Sequence, residues 1–221
     1  MKINIAIDGP SAAGKSTISK RVASELGYRY LDTGAMYRCV ALKVYQNKLN
    51  AKDEEAIMNI LADTKIEFGL SETIYLDGVD VSEEIRKHEI SFLASTVSLL
   101  PQVRLDLVQR QRKIARLQPG IVMDGRDIGS VVLKDEAQLK IFLTADSHTR
   151  AQRRYDELYK KNLDLEFDEV LDQMKKRDLQ DSSRKTSPLI KVAEAYEIDS
   201  SKLSIEEVVN KIVKLAKEKG A

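Results

Sequence analysis

Lys15 and Ser16 close the run Gly9-Pro10-Ser11-Ala12-Ala13-Gly14-Lys15-Ser16, a Walker A pattern. The chemistry of such a run is phosphate binding. Backbone N–H groups of the loop cradle the oxygens, the lysine reaches the β- and γ-phosphates, and the serine hydroxyl offers an oxygen to Mg²⁺. Gly9, Pro10, Ser11, Ala12, Ala13, Gly14, Lys15, Ser16 and the following Thr17 are therefore assigned to a nucleoside triphosphate. A second set consists of arginines. Arg38, Arg104, Arg126, Arg177 and Arg184 each stand beside a turn, a strand end or a polar residue. A lone arginine is ordinarily a solvated helix charge. Five of them in a chain with a phosphate loop point to a second phosphorylated molecule facing the first. In Ile121-Val122-Met123-Asp124-Gly125-Arg126-Asp127 the apolar run ends in acids. The arginine between those acids suits a phosphate better than a hydrolytic water.

The elements that must position these groups follow from periodicity. Ile3, Ile5 and Ile7 alternate from Lys2 to Asp8 as a buried strand would, and Gly9 breaks the run. Ile18, Val22 and Leu26 then recur at helical spacing, with Gly27 as the stop. Strand, loop and helix in that order aim loop N–H groups and the positive helix end at one anion. Tyr28 to Asp32 reads as extended, Gly34 opens a helix through Met36, Val40 and Val44, and Asp53 caps another through Ile57, Ile60 and Leu61.

The texture then changes. Lys65 to Leu70 and Thr73 to Val81 alternate at period two, and Asp77-Gly78 is a hairpin turn signal, which predicts a small antiparallel insert. Helical spacing resumes from Ser82 to about Leu99, and Pro101 opens a long helix with Val103, Leu107 and Ile114 that Gln118-Pro119-Gly120 closes. Ile121–Met123 and Leu139–Leu143 read as core strands with polar residues at their C-terminal ends, where ligands bind in open parallel sheets. Charge-rich helices are predicted from Ser147 to Lys161 and from Phe167 to about Arg184, followed by a strand at Ala195 to Ile198. A capping box from Ser204 to Glu207 starts a last helix with Ile205, Val208, Ile212 and Leu215 on one face. Alternating β and α elements imply an α/β fold, a parallel central sheet with helices on both faces.

Composition narrows the classes. The 221 residues are 43% hydrophobic, enough for one substantial core, and the 32% that are charged nearly cancel to a formal +1. No global field draws such a chain to nucleic acid or membrane, and Gln109-Arg110-Gln111-Arg112-Lys113, without interleaved aromatics, reads as a solvated helix face. Cys39 is the single cysteine, which excludes an internal disulfide and fits a reducing compartment. No apolar run reaches membrane-spanning length, so a cytoplasmic protein is expected. A GTP switch would need an Asn-Lys-x-Asp stretch; Asn47-Lys48-Leu49-Asn50 ends in the wrong residue.

Four segments carry a resemblance over essentially the whole chain. Asp8-Gly9-Pro10-Ser11, Leu31-Asp32-Thr33-Gly34-Ala35-Met36-Tyr37-Arg38, Asp124-Gly125-Arg126-Asp127-Ile128-Gly129 and Lys176-Arg177-Asp178 resemble, in order and spacing, the motifs of the bacterial cytidylate (CMP/dCMP) kinase family. The β-rich insert resembles that of the family's long form. The resemblance implies a P-loop NTPase fold in a single kinase domain, with a core at 1–64 and 101–221, a nucleotide-binding insert at about 65–100 and a helical lid at about 147–166. It implies phosphoryl transfer from ATP, with Mg²⁺, to CMP or dCMP. Carried over by position, Arg38, Arg126 and Arg184 would hold the monophosphate. Ser95, Arg104 and Asp127 would read the cytosine edge, and Arg177 with Asp181 the sugar hydroxyls. Thr33, where some members have serine, would touch the nucleotide. Arg150, Arg153 and Arg154 would belong to the lid, with Lys15, Arg126, Arg184, Arg153 and Arg154 as the catalytic set. Ser16, where other members have glycine, would meet Mg²⁺ directly or through water. A monomer without nucleic-acid or membrane partners is expected. The alternatives are another P-loop small-molecule kinase, or a regulatory NTPase or nucleic-acid-binding module.

Overall fold

The computed structural model describes residues 2–69, 73–117, 119–160 and 165–221. In chain order the elements are β1 (Ile5–Asp8), α1 (Lys15–Leu26), β2 (Arg29–Asp32), α2 (Thr33–Gln46), α3 (Glu54–Leu61), β3 (Ile66–Phe68), β4 (Ile74–Leu76) and β5 (Val79–Asp80). They continue with α4 (His88–Val97), α5 (Pro101–Leu117), β6 (Ile121–Gly125), β7 (Leu139–Thr144), α6 (Ser147–Tyr159), α7 (Phe167–Ser183), β8 (Tyr196–Asp199) and α8 (Ile205–Glu218). The expectations placed on Leu70, Gln118, Lys161 and the lid residues 161–164 lie outside the described residues. The chain divides into two compact units, 1–31 with 115–221, and 32–114.

The first unit is built on a five-stranded sheet in the order β2-β6-β1-β7-β8. β1 runs parallel to β6 and to β7, with Asp8 level with Gly125 on one side and Phe142 on the other, and β7 runs parallel to β8. Ile5 and Ile7 point to one face, where they pack with Ile18 and Val22 of α1 and Val208 and Ile212 of α8. Ala6 and Met123 point to the other face and are equally inaccessible, so the sheet is covered on both sides, as a parallel sheet must be. The buried stripe of α8 is Val208, Val209, Ile212 and Ala216, whereas Ile205 is 44% exposed. This corrects the predicted face. The capping box is formed, Ser204 N donating to Glu207 Oε2 at 2.8 Å and Glu207 N to Ser204 Oγ at 3.2 Å. Ile205 therefore stands in the first turn, at the solvent end of the helix. Among the described residues no helix is long and apolar enough to cross a membrane.

The second unit carries the antiparallel sheet β3-β4-β5. Asp77 and Gly78 hold φ of 52° and 83°, the paired left-handed conformation of a two-residue hairpin turn that glycine permits. Lys43 of α2 pairs with the Asp77 carboxylate, which also accepts from Lys65 N at 2.8 Å, so the hairpin is tied to its helix. The helix expected over Ser82 to about Leu99 is broken: a 3₁₀ turn at Glu84–Arg86 precedes α4, and Lys87 between them is extended at ψ 150°. Ile85 and Ile90 would lie about 140° apart on one continuous helix. The break lets both enter one cluster with Val81 and Leu42. α2 starts at Thr33, one residue before the expected Gly34, because Asp32 Oδ1 caps it by accepting from Ala35 N at 3.1 Å.

Candidate functional site

In the first unit, β1 delivers the chain into the loop through Gly9, whose φ is 154° and where a Cβ would stand 1.9 Å from the Leu143 carbonyl oxygen. Only glycine fits so close to β7. Ala12 holds φ 56°, a left-handed conformation that costs a non-glycine residue roughly 1–2 kcal/mol. The N-cap of α1 is Gly14, which has no side chain to accept from the first-turn N–H groups, and no acid stands in that turn. Those donors are thus left for an anion. Lys15, 7% exposed, donates from Nζ to Pro10 O at 2.7 Å. Burial, with Arg126 second, lowers its ammonium to about 7, against the pull of Asp124 and Asp181.

Ser16 Oγ donates to Asp124 Oδ2 at 3.1 Å, and the other oxygen of that carboxylate accepts from Tyr30 OH at 2.7 Å. A hydroxyl and a strand-end carboxylate, both hard oxygen donors, are the pair by which a P-loop holds Mg²⁺ alongside the phosphates. The residues fit the ion. Asp124 and Tyr30 were not assigned from sequence, although the apolar run ending at Asp124 was the available signal.

Beside this pair lies the arginine cluster. Arg126 Nε donates to Asp181 Oδ2 at 2.7 Å, and Arg184 Nη1 stands 3.6 Å from Asp181 Oδ1 and its Nη2 3.9 Å from Asp127 Oδ1. Burial pushes the Asp181 carboxyl up, but Arg126, Arg177 and Arg184 together outweigh it and leave the group below its ordinary value. Lys15, Arg126, Asp127, Arg177, Asp181 and Arg184 thus form one electrostatic neighbourhood, drawn from residues more than a hundred positions apart. Asp124 and Asp178 share this neighbourhood, so the four basic groups are held close together by matching acids.

The lid arginines divide. Arg150, 7% exposed, donates to Ala145 O at 2.9 Å, to Ser11 O of the loop at 3.2 Å and to Asp178 Oδ2 at 2.7 Å. Arg153 grips Ser200 through the hydroxyl at 3.1 Å and the carbonyl at 2.7 Å, and Ser200 Oγ in turn donates to Ala13 O at 3.2 Å. Arg154 pairs with Glu157 at 2.8 Å on the outer face of α6. Arg150 and Arg153 brace the loop, and Arg154 does not join them.

In the second unit, Thr33 is buried in the first turn of α2, and Arg38 pairs with Asp32 at 2.6 Å. Arg104 of α5, 2% exposed, lies 5.2 Å over the Tyr37 ring and donates to Ser98 O at 3.1 Å. Ser95, half-buried on α4, has its carbonyl held by Ser98 Oγ at 2.8 Å. Tyr37, a stacking platform for Arg104, had no role assigned from sequence.

The family model described as cytidylate kinase matches residues 5–218. A cytidylate kinase of Caldicellulosiruptor bescii is 51% identical over 217 residues, covering 97% of this chain and 95% of the relative. One of Caldanaerobacter subterraneus subsp. tengcongensis is 51% identical over 212 residues, covering 96% and 93%. Among solved structures, a gluconokinase from Sinorhizobium meliloti 1021 superposes with a TM-score of 0.53 at 10% identity, covering 98% of this chain and 93% of that one, which is a likeness of fold alone. With a family model spanning nearly its whole length and relatives at half identity, the chain belongs to the cytidylate kinase family.

Proposed function

We propose that this protein transfers the γ-phosphoryl group of ATP to CMP or dCMP, giving ADP and CDP or dCDP. The observation that carries the reading is the arginine-rich cluster held against the phosphate loop in a chain of this family. An acceptor phosphate oxygen is already a competent nucleophile, so no general base is needed. Catalysis reduces to alignment and charge stabilisation in a loose transition state.

In this reading the loop from Gly9 to Thr17 holds the triphosphate, with Lys15 on its outer phosphates. Mg²⁺, coming with ATP, supplies charge neutralisation and orients the phosphates, and Ser16 and Asp124 would hold it, directly or through water. By the family resemblance, Arg38, Arg126 and Arg184 take the acceptor phosphate. Arg177 and Asp181 take the sugar hydroxyls, and Asp127, Arg104 and Ser95 the cytosine edge, with Thr33 beside the nucleotide. The segment at about 147–166, with Arg150, Arg153 and Arg154, serves as a lid that excludes water from the transfer. Residues 65–100 serve as the acceptor-binding insert. The reading extends to a cytoplasmic monomer; a single buried cysteine fits a reducing compartment.

The test follows the label. With γ-³²P-ATP, Mg²⁺ and CMP, the label is expected in the β-phosphate of CDP. Release as inorganic phosphate, with CMP unchanged, would refute the assignment.

A further inference from the structure

Asp8 is the last residue of β1 and the immediate neighbour of the loop glycine Gly9, yet its side chain does not turn toward the loop. It is 5% exposed, and its two oxygens accept from two successive backbone N–H groups: Oδ1 from Ile128 at 2.8 Å and Oδ2 from Gly129 at 2.7 Å. These are the first two residues of a π-helix, Ile128–Val132, whose N-cap is Asp127. The Asp127 carbonyl accepts from Val131 N at 2.9 Å and from Val132 N at 3.0 Å, closing the wide turn. The opening N–H groups of a helix have no partner within it. Asp8 supplies both partners at once.

Two glycines make the bracket possible. A Cβ at Gly129 would stand 3.2 Å from Asp8 Oδ2, and one at Gly9 would collide with the Leu143 carbonyl of β7. The carboxylate is thus carried on a strand fixed against β7, and the turn closes onto it without an intervening side chain. Asp127 precedes the bracketed pair, and Arg126 precedes Asp127.

We infer that Asp8 is a positioning residue for the acceptor nucleotide: it acts through the Ile128 and Gly129 amides to set Asp127 and Arg126, although it stands in the strand that delivers the donor loop. This rests on the proposed reading, in which Asp127 and Arg126 meet the acceptor. A residue of the ATP motif should then reveal its loss on the other substrate.

The experiment compares wild type, Asp8→Asn and Gly129→Ala in steady-state kinetics at pH 8 with ATP, Mg²⁺, CMP and UMP. Asparagine offers one oxygen and one NH₂ group, so one amide of the pair meets a donor instead of an acceptor. For Asp8→Asn the expected result is a KM for CMP raised about tenfold and a smaller CMP-over-UMP ratio in kcat/KM, with the KM for ATP within about twofold of wild type. Gly129→Ala, which crowds the same carboxylate from the other side, should move both quantities in the same direction by less. Should Asp8→Asn fail to fold, Gly129→Ala decides alone. A KM for ATP that rises as far as that for CMP, or a CMP-over-UMP ratio that does not move, overturns the inference while wild-type turnover of CMP leaves the functional reading standing. Wild type that does not turn over CMP overturns both.

Discussion

Arg126 donates from Nε to Asp181 Oδ2 at 2.7 Å, in a pair whose side chains are 18% and 7% exposed. The other Asp181 oxygen lies 3.6 Å from Arg184, so one acid of α7 restrains two arginines that would otherwise repel each other. The acid organises the cluster.

Removing that acid takes from Arg126 and Arg184 their nearest counter-charge, and breaking such a buried pair costs about 3–5 kcal/mol. Asp181→Ala should lower stability toward urea by that order. The folded carboxyl titrates below its ordinary 3.8, so its contribution is fully present above the unfolded value and is lost as pH falls through the folded one. The difference between wild type and Asp181→Ala should therefore be constant from pH 7 to about 5 and shrink below about 4. A gap that persists unchanged to pH 2.5 would show that the carboxylate charge is not what holds the cluster.

Lys15→Ala should reduce turnover by at least about 100-fold, because in the proposed reading the lysine acts on charge that develops in the transition state. Its burial carries a desolvation cost, so the variant should melt at the wild-type temperature or slightly above it. Near-normal kcat in this variant, or a lost melting transition, would contradict the role.

Asp127→Ala bears on base selection. Cytosine presents an N4 amino donor where uracil has an acceptor, and a buried acid left without a donor can cost the wrong substrate several orders of magnitude. The ratio of kcat/KM for CMP over UMP should fall by about 100-fold. An unaltered ratio would remove Asp127 from the base-reading set.

Asp8 has a pH signature of the opposite sign to Asp181. Burial raises its carboxyl from 3.8 to about 7, against the two amide donors. The folded state therefore holds the proton more tightly than the unfolded chain. The contribution to stability declines as pH rises from about 4 to about 7, by at most about 4 kcal/mol at ~1.4 kcal/mol per unit. Unfolding free energies of wild type minus Asp8→Asn should fall across that window and be flat above it. A difference that rises with pH instead would mean that the amides, not burial, dominate.

The legibility of this protein in its sequence follows the range of the interactions. Local chemistry was readable: the strand, glycine loop and helix at Ile5–Leu26, the Asp77-Gly78 turn, the Asp53 cap and the Ser204–Glu207 capping box all form as their residue types imply. What depends on a distant partner was not. The π-helix at Ile128–Val132 closes around N–H groups that Asp8 accepts from 120 positions away, and no periodicity within Ile128-Gly129-Ser130-Val131-Val132 announces it. The break at Lys87 answers to a core that must take both Ile85 and Ile90. Asp124 ended a legible strand, but its bond to Ser16 is visible only in three dimensions. The roles of Arg153 and Arg154 rested on resemblance; the Arg153 contact with Ser200, 47 positions away, was beyond any local signal, whereas the Arg154–Glu157 pair is an ordinary i,i+3 helix contact.

The central claim is the pairing of one donor with one acceptor class, and a coupled assay of ADP release with ATP and Mg²⁺ across CMP, dCMP, UMP, AMP and shikimate tests it most directly. Rapid release with CMP and dCMP, and little with UMP, AMP or shikimate, is the result predicted. Release driven equally by shikimate or AMP, or release independent of any acceptor, would contradict it.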